Sequence, residues 1–513
     1  MKIIKLGIAL LLIINCIVCL FLFAEIEPSR TMFRGYSMKS LRYENAPKLP
    51  LYSSPAWQDY MSRTSFYEEY QGILDDDEYC NKVSKYQKEN PVTFDERGLP
   101  TKKYRVAFSD YRNGNLVKDV LKRYGNLVLQ RHTIEKYTEG PNEYLTPNIN
   151  LFFEKTPGWH LKHKIGTHFL CEGQMYNHIP GHEHMINKDE AARNAKEYGE
   201  YYADRKQCFD PWTFMPYTLD LSNEVECREF IDGLISETDK SAIKWIKKKS
   251  RNSHNAEGVR VVNEKVAEEI LKEYGYGDKC GLIEDQFIVQ RYVPDPLLIK
   301  GRKFDFRIYM LIASVDPLVI LYHDGFLRVS VAQYDQSAKE SGAHITNTAL
   351  VKEMLEERNA TQAEYEEVMK DQMWTFPQFL SYMQSQGLVE GDWINDYVRP
   401  TMRLKMLHLV RMNIERFLWH PRVFELYGVD FMFDSKLHLW FLEVNRSPAM
   451  QATTEEKGRI QERLIKETID LEYALLYKAD FDMILKGTGF IKVFDGRLNG
   501  MERYQGLLSE ECT

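Results

Sequence analysis

The stretch WFLEVNRSP, residues 440–448, begins as an apolar run and ends in a carboxylate and an amide two residues apart. The apolar run predicts a buried strand, which Pro448 closes. Glu443 and Asn445 share one face of such a strand, because strand side chains alternate with a period of two. Two oxygen-bearing side chains aimed at one point suit a hard cation such as Mg2+. The alternative is a polar strand end that runs into a proline-stopped turn.

The preceding residues extend this strand into a predicted hairpin. The sequence YGVDFMFDSKLHLWFLEVN, residues 427–445, has two apolar runs separated by the turn-forming residues 434–436. This pattern predicts two antiparallel strands. Asp430 then lies opposite or diagonal to Glu443, and diagonal neighbours on one sheet face are about 7 Å apart. Clustered carboxylates repel one another without a cation, so the hairpin predicts a site for Mg2+ and a nucleotide.

Two strands are predicted upstream in FIVQRYVPDPLLIKGRKFDFRIYML, residues 287–311. The first, residues 287–293, stops at a proline-rich bend where backbone donors and acceptors can contact an adenine edge. The second alternates Lys303, Asp305 and Arg307 on one face with apolar residues on the other. Because half-buried strands often carry solvent-facing charge, this alternation alone does not identify a site.

A third strand and a polar loop add to this predicted cluster. The strand ends at Arg328, and the loop AHITNTAL, residues 343–350, carries hydroxyl, amide and imidazole groups. Arginine is suited to bidentate capture of a carboxylate or a phosphate. The convergence of cationic and polar groups predicts a binding site for an anionic substrate.

Length and charge bound the class of protein. The chain has 513 residues and a hydrophobic fraction of 44%, which is enough for two or three packed domains. Its 67 Lys and Arg and 75 Asp and Glu give a net charge of -8, which argues against a nucleic-acid-binding protein. Alternating strand and helix signals continue to about Gly487 and predict an α/β or α+β protein.

The N-terminus predicts a membrane anchor. Lys2 and Lys5 precede an apolar segment from Leu6 to Ala24, which is about the length needed to span a bilayer. The segment is longer than the core of most cleaved signal peptides, so it favours an uncleaved signal anchor and a single-pass membrane protein. Basic residues flank both sides, which leaves open whether the following domain is lumenal, extracellular or cytosolic. Residues 25–103 have little periodicity and are interpreted as a membrane-proximal stem.

Two features suggest other chemistry. Several histidines lie between His160 and His184 near Cys171, but their spacing fits no common zinc site. The acidic run 75–77 follows a predicted anchor, as in many Golgi-type glycosyltransferases, although it lacks a predicted strand and is more typical of a solvated turn. Cys16 and Cys19 lie inside the apolar segment, and the six remaining cysteines form no CxxC pair, so they allow either disulfides or reduced thiols.

Nine blocks in chain order carry a resemblance to a known family. They are QMYNHIPGHEHMINKDEAARN, FDPWTFMPYTLDL, KWIKKKS, FIVQRYVPDPLLI, GRKFDFRIYML, DGFLRVS, AHITNTAL, YGVDFMF and FLEVNRSP. Together they span roughly Tyr104 to Leu485, and the chain resembles the tubulin-tyrosine-ligase-like family. The resemblance implies an α+β protein with an ATP-grasp fold. Its parts would be an anchor (1–24), a stem (25–103), N-terminal, central and C-terminal subdomains (104–215, 216–310 and 311–487), and a tail (488–513).

The resemblance also implies the activity and its partners. A member of this family would use ATP and Mg2+ to add a free amino acid, of glutamate, glycine or tyrosine type, to a carboxylate of a protein acceptor such as tubulin. The reaction would pass through an acyl phosphate. No nucleic acid is expected as a partner, and contact with a membrane would come from the predicted anchor.

The same resemblance implies roles for individual residues. Arg328 would clamp the carboxylate of the incoming amino acid, with Arg307 nearby as the second catalytic residue. Asp430, Glu443 and Asn445 would hold Mg2+. The expected nucleotide contacts are Lys188, Lys247, Gly258, Gln290, Arg291, Tyr292, Val293, Lys303, Asp305, Thr346 and Asn347.

The chain departs from the family pattern in two places. In the loop KKKSRNSHNAEGVRV, residues 247–261, Lys248 stands for a proline and Ala256 for a glycine, which predicts weaker or altered ATP binding. After EVNRSP, Glu456 stands for an aspartate and Gln461 for a lysine that helps to position an acidic amino acid. The loss of this lysine puts glutamate in doubt as the added residue. Ala256 and Gln461 together leave open an inactive, nucleotide-regulated binding module. The glycosyltransferase is a third possibility, which rests on the predicted anchor, the stem and the acidic run.

Overall fold

The computed structural model describes most of the chain from Asp77 onward. The described residues are 77–101, 104–109, 115–130, 148–153, 170–179, 181–202, 210–237, 244–251, 258–283, 287–293, 295–315, 317–335, 355, 359–417 and 422–497.

Strands and helices alternate along these residues. The strands are β1 (Tyr104–Ser109), β2 (Gly125–Gln130), β3 (Ile149–Phe153), β4 (Met175–Tyr176), β5 (Thr218–Asp220), β6 (Trp245–Lys249), β7 (Arg260–Val261), β8 (Phe287–Arg291), β9 (Leu298–Ile299), β10 (Arg302–Val315), β11 (Leu318–Val329), β12 (Met373–Trp374), β13 (Glu425–Phe433), β14 (Leu439–Arg446) and β15 (Phe490–Asp495). The α-helices are α1 (Asp77–Glu89), α2 (Asn115–Tyr124), α3 (Glu183–Ile186), α4 (Lys188–Tyr202), α5 (Glu224–Ser236), α6 (Glu264–Glu273), α7 (Gln362–Gln372), α8 (Phe376–Ser385), α9 (Arg399–Arg411), α10 (Glu455–Leu476) and α11 (Phe481–Lys486).

The strands form three sheets, which confirms the α+β class. A parallel sheet has the order β2-β1-β3-β4, and an antiparallel sheet has the order β5-β8-β6-β7. The largest sheet has seven strands in the order β12-β11-β10-β13-β14, with β15 paired to β11 and β9 paired to β10. Its long central strands, β10 and β11, are almost entirely buried. Helices cover both faces of these strands, so the strands form a buried layer between two hydrophobic cores.

The predicted hairpin is confirmed as β13 and β14, and its turn is fixed by one side chain. The Asp434 carboxylate accepts hydrogen bonds from the backbone N–H groups of Lys436 and His438, each at 2.9 Å. Leu437 takes the left-handed conformation that closes the loop, with φ of 61°. An aspartate at the start of a turn holds the backbone in this way, because its short side chain reaches N–H groups further along the chain.

Three predicted boundaries differ from the structure. Part of the predicted stem is folded: α1 is linked to the domain by a disulfide between Cys80 and Cys171, and Leu99 packs in the core below α10. The predicted tail begins with β15, which pairs with β11 in the large sheet. The predicted division at residue 310 falls inside β10, because one strand of 14 residues runs through it.

The prediction of a single-pass membrane protein is corrected. None of the helices in the part of the chain that the structure describes is long and apolar enough to cross a membrane. The segment from Leu6 to Ala24, on which that prediction rested, lies outside the described residues.

A second disulfide lies inside the four-stranded antiparallel part. It joins Cys227 on α5 to Cys280, across 53 residues of sequence that include β6, β7 and α6. Both cysteines are buried in a core with Phe230, Ile270 and Val289. The cross-link therefore holds together the two helices that support β6.

A buried ionic network connects the large sheet to the loop before α3. Both oxygens of the Glu425 carboxylate accept hydrogen bonds, from His178 Nδ1 at 2.9 Å and from His182 Nδ1 at 2.8 Å. The backbone N–H of Ile179 also donates to Glu425, at 3.1 Å. Burial would raise the pKa of Glu425, but His178 and His182 lower it to about 2. His178 and His182 are thus partners of a buried carboxylate, and the ligand atoms of the three side chains lie within 4.8 Å of one another.

We expect removal of the Cys227–Cys280 cross-link to destabilise this part of the chain. For a closed loop of this length the entropy of the unfolded chain accounts for about 4 kcal/mol, so the double change Cys227→Ala, Cys280→Ala should lower the unfolding free energy by about that amount. Urea unfolding followed by tryptophan fluorescence measures the change, with Trp245 as a reporter on β6. If the wild type with its disulfide intact and the variant unfolded at the same urea concentration, the cross-link would have no stabilising role.

We also expect the Glu425 network to stabilise the fold in a pH-dependent way. Glu425→Gln leaves two buried histidines without their carboxylate, which should cost about 3 to 5 kcal/mol. Because the folded pKa of Glu425 is lowered, its contribution is complete above its ordinary value of 4.5 and is lost as pH falls toward 2. Burial opposes protonation of His182, but Glu425 raises its pKa, so that contribution is lost as pH rises above 6.5.

Wild type should therefore exceed Glu425→Gln in stability most strongly between about pH 4.5 and 6.5. Chemical unfolding of both proteins at a series of pH values measures the difference. A difference that stays constant from pH 2 to 8 would show that these groups do not titrate with folding.

Candidate active site

The charged side chains of three adjacent strands lie on one face of the large sheet. Asp305 on β10 is paired with Arg328 on β11, and Arg307 on β10 is paired with Asp430 on β13. The sequence left open whether the charges of β10 face solvent. They do not, because Lys303 is 8% exposed and Asp305 is 4% exposed. Charged groups this deeply buried require partners, so their arrangement is determined by their mutual contacts.

Asp430 is the shared acceptor of this cluster. Arg307 donates two hydrogen bonds to its carboxylate, one of them from Nη2 to Oδ2 at 2.9 Å. Arg328 Nη2 donates to the same Oδ2 at 2.8 Å. Arg328 also donates to both oxygens of Asp305, at 2.6 and 2.9 Å. Burial would lower the pKa of Arg328, but Asp305 and Asp430 raise it, so Arg328 stays charged and fixed in position.

Asp305 has a structural partner within the cluster. Both of its oxygens accept from the Arg328 guanidinium, and its predicted contact with the nucleotide stays a prediction. The structure places it beneath Arg328 as the group that orients this side chain.

A β-bulge turns Glu443 toward Asp430. The register pairs Phe431 with Phe441 and Asp430 with Glu443, so Leu442 is an extra residue with no partner in β13. Phe441 packs in the core, and a regular strand would aim Glu443 into that same core. Because of the bulge, Glu443 faces the cluster instead.

Glu443 and Asn445 form the corner of the site next to Lys188. Lys188 at the start of α4 lies with its Nζ 3.3 Å from Glu443 Oε2. The Asn445 side-chain amide donates to both Asp430 and Glu443, at 3.3 Å each. Burial would raise the pKa of Glu443, but Lys188, Lys248 and the two arginines lower it to about 2. The carboxylate is therefore ionised at neutral pH.

This corner fits a hard cation. Asp430 and Glu443 are directly opposite, and the Asn445 amide N–H group and the Lys188 ammonium lie at their oxygens. Positive groups occupy the place that Mg2+ would take, and the donors are the carboxylate and amide oxygens that Mg2+ prefers.

The structure corrects the predicted phosphate lysine by one residue. Lys247 lies on the face of β6 that packs against helices, where its Nζ is 3.0 Å from Glu273 Oε2 and 4.2 Å from the centre of the Phe287 ring. Lys248 lies on the opposite face, and its Nζ donates to Gln290 Oε1 at 2.7 Å. Its electrostatic partners include Glu443, Lys188 and Asp430, so Lys248 belongs to the cluster and Lys247 does not.

Lys248 and Lys303 are two cations that influence each other. Burial and the charge of Lys248 together lower the pKa of Lys303 to about 8, and burial is the largest cause that lowers the pKa of Lys248 to about 8. Two ammonium groups whose charged forms are disfavoured in this way favour the binding of an anion, since an anion would reverse both effects. The Lys303 Nζ also lies 4.8 Å from the centre of the Tyr292 ring.

The predicted adenine-lining residues lie at the end of β8. Arg291, Tyr292 and Val293 border a cavity of about 360 Å³, whose other walls include Trp212 and Trp440. The volume lies within the range of small-molecule sites. Gln290 lies deeper, where it accepts from Lys248 and donates to the Thr218 hydroxyl at 3.0 Å.

Gly428 leaves space on β13 for the side chain of Arg307. A Cβ atom at this position would lie 3.0 Å from Arg307 Cδ and 3.1 Å from Pro448 Cβ. The absence of a side chain thus leaves room for the guanidinium to reach Asp430.

Other predicted residues lie at the edge of the site or beyond the described chain. Gly258 has a φ of 73° and precedes β7, a backbone conformation that favours glycine. Thr346, Asn347 and Ala256 lie outside the described residues.

Sequence reasoning missed two cations of this site. The resemblance places Lys248 where the family has a proline, and it gives no role to Lys457 on α10. Strand alternation indicates that only one of Lys247 and Lys248 faces the cleft, but the three consecutive lysines do not indicate which one. The signal for Lys457 is that it precedes Gln461 by four residues, which places both on one face of a helix.

Comparison with known proteins identifies the family. The family model described as "Tubulin-tyrosine ligase family" matches residues 168–480, more than half of the chain. A human protein named "Probable tubulin polyglutamylase TTLL2" is 28% identical over 402 residues, which are 74% of this chain and 61% of that protein. The human "Inactive polyglycylase TTLL10" is 30% identical over 190 residues, 36% of this chain and 27% of that protein.

A rat protein, "Probable tubulin polyglutamylase TTLL9", is 33% identical over 199 residues, which are 38% of this chain and 41% of that protein. The matched region thus spans less than two thirds of the length of each of these relatives. The matched family and the order of its blocks agree along the chain, and the protein belongs to the tubulin-tyrosine ligase family.

Proposed function

We propose that this protein is an ATP- and Mg2+-dependent ligase with an ATP-grasp fold, which joins a free amino acid to a carboxylate of a protein acceptor such as tubulin. The observation that carries the proposal is the charge balance of one cleft. Six cationic side chains meet three carboxylates there: Lys188, Lys248, Lys303, Arg307, Arg328 and Lys457 against Asp305, Asp430 and Glu443. Such an excess of buried positive charge is stabilised by a polyanionic substrate.

The proposed reaction has two steps. An oxygen of the acceptor carboxylate attacks the γ-phosphorus of ATP, the bond to the β–γ bridging oxygen breaks, and ADP leaves. The amine nitrogen of the free amino acid then attacks the carbonyl carbon of the acyl phosphate. An amide bond forms, inorganic phosphate leaves, and the amine gives up a proton. A carboxylate needs this activation because it is a poor acyl donor.

The side chains of the cleft have distinct roles in this proposal. Lys248 and Lys303 bind phosphate oxygens, because each repels the other and the carboxylates near them, Glu443, Asp430 and Asp305, do not restore their ordinary pKa values. Asp430, Glu443 and Asn445 would hold Mg2+, which supplies charge neutralisation to the phosphates when it is bound. The adenine would lie at the end of β8, where the Val293 N–H donates to no backbone carbonyl of the described residues.

Arg328 and Arg307 bind the amino acid. Each guanidinium uses Nε and Nη2 to bind aspartate, and the Nη1 of each makes no hydrogen bond to a described residue. Because the aspartates fix both side chains in advance, the remaining N–H groups can bind a carboxylate with little loss of conformational entropy.

A matched pair of lysine variants tests the nucleotide site. Lys248→Met removes a cation that faces the cleft, and it should weaken binding of Mg2+ with a non-hydrolysable ATP analogue by about tenfold or more. Lys247→Met, the neighbouring residue on the other face of β6, should change that affinity by less than about threefold. Titration calorimetry measures both. Equal losses in the two variants, or a larger loss in Lys247→Met, would contradict the assigned face of β6.

A transfer assay tests the ligase itself. The full chain, ATP, Mg2+, labelled amino acids and purified tubulin should yield ATP-dependent incorporation, and Glu443→Gln should reduce its rate by about 100-fold or more because a metal ligand loses its charge. Binding of the ATP analogue without transfer to tubulin would favour another acceptor or a nucleotide-regulated binding module. Absence of nucleotide binding would refute the ligase, and stabilisation by a nucleotide-sugar alone would favour a glycosyltransferase.

A further inference from the structure

Lys457 is a buried cation that the proposed reaction does not yet use. It lies at the third position of α10, after the capping residue Thr454, and is 8% exposed. Its backbone N–H donates to the Thr454 hydroxyl, which begins the helix. Its Nζ contacts the Thr453 hydroxyl at 3.5 Å and has no carboxylate within ion-pair distance among the described residues. A buried lysine is rarely left in this condition without a ligand.

The ammonium of Lys457 points at the arginine cluster. Its Nζ lies 5.5 Å from the centre of the Phe326 ring. Phe326 is the register partner of Arg307, and Arg328 follows it by two residues on the same face of β11. Burial and, to a smaller extent, the charges of Arg307 and Arg328 lower the pKa of Lys457 to about 8, so the two arginines influence this cation.

The acidic residues next to Lys457 in sequence do not neutralise it. Glu455 and Glu456 lie on the exposed side of the first turn of α10, where both pair with Arg459. The carboxylates of the cluster are Asp305, Asp430 and Glu443. The first two accept from the two arginines, and Glu443 lies beside Lys188. The face between α10 and β11 therefore has more cations than the protein itself can pair.

Gln461, one turn further along α10, lines the same face. Its amide nitrogen donates to the Tyr309 hydroxyl at 3.3 Å and to the Ala449 carbonyl at 2.9 Å, which places it against β10. The sequence indicated a missing cation at Gln461 and put an acidic amino acid in doubt. Lys457 is four residues earlier and shares that helix face, so a cation is present one turn away from the position where it was sought.

We propose that Lys457 is a specificity-determining residue, which binds the side-chain carboxylate of an acidic amino acid while Arg328 and Arg307 bind its α-carboxylate. This inference rests on the proposed ligase function and specifies which amino acid the ligase takes. An acidic amino acid provides two carboxylates for three cations. Glycine or tyrosine provides one, and would leave the Lys457 ammonium buried without a counter-charge.

Amino-acid binding to the full chain, saturated with Mg2+ and a non-hydrolysable ATP analogue, tests this proposal. L-glutamate is compared with L-glutamine, which has nearly the same shape and no side-chain charge, and with glycine. Wild type should bind glutamate at least about tenfold more tightly than glutamine, as expected for one charged contact. Lys457→Met should abolish that preference, and Lys457→Arg should retain most of it.

Arg459→Met is the matched control, since it removes a cation from the same turn of α10 but from its exposed side. It should keep the preference for glutamate. The affinity of each variant for the ATP analogue, within about twofold of wild type, reports that the site is folded. Equal affinity of wild type for glutamate and glutamine, or an unchanged preference in Lys457→Met, overturns the role of Lys457 and leaves the ligase intact. Failure of wild type to bind the ATP analogue overturns the ligase and this inference together.

Discussion

The carboxylate of Asp430 organises the candidate active site. It lies on the strand next to β10, is 2% exposed, and accepts from Arg307, Arg328 and Asn445. Each of these donors comes from a different strand of the large sheet, so one buried acceptor determines where the arginines and the amide lie. Removal of this carboxylate would leave Arg307 without its carboxylate partner and Arg328 with Asp305 alone, and breaking a buried pair costs more than the intact pair contributes. The two arginines and the amide are therefore held in fixed positions relative to one another, because all three donate to Asp430.

Much of this arrangement of β10, β13 and β14 was predictable from the sequence, because it depends on local sequence patterns. Alternation with a period of two predicted which residues of β10 share a face, and the turn residues predicted the hairpin of β13 and β14. Asp430 and Glu443 were expected to be opposite or diagonal, and they are opposite. That expectation was reached without the bulge at Leu442. A bulge depends on how the core packs against Phe441, and a sequence pattern does not contain that information.

The errors have the same physical origin. Lys247 and Lys248 differ only in the face of β6 on which they lie, and that face is decided by the helices that cover it. The sequence gives three consecutive lysines with no apolar contrast between them, so periodicity could not choose. The family pattern predicts a cation at the position of Gln461 alone, so it does not point to Lys457. A helix presents residues four apart to the same surface, and Lys457 lies four residues before Gln461. The disulfides are likewise set by spatial proximity, with 91 and 53 residues between their cysteines.

The charge of the cleft connects its stability to its function. Burial and like charge lower the pKa values of Lys248, Lys303 and Lys457 to about 8, so each of these groups is less favourably charged in the free protein than in water. An anionic substrate reverses this, and its binding energy is then larger because the cations were desolvated in advance. The disulfide between Cys227 and Cys280 closes the segment that contains β6, the strand of Lys248. This cation therefore lies on a cross-linked part of the chain, whereas Lys303 lies on β10 of the large sheet. An anion that contacts both lysines would bridge two sheets, so its binding depends on how those sheets position the two side chains before it arrives.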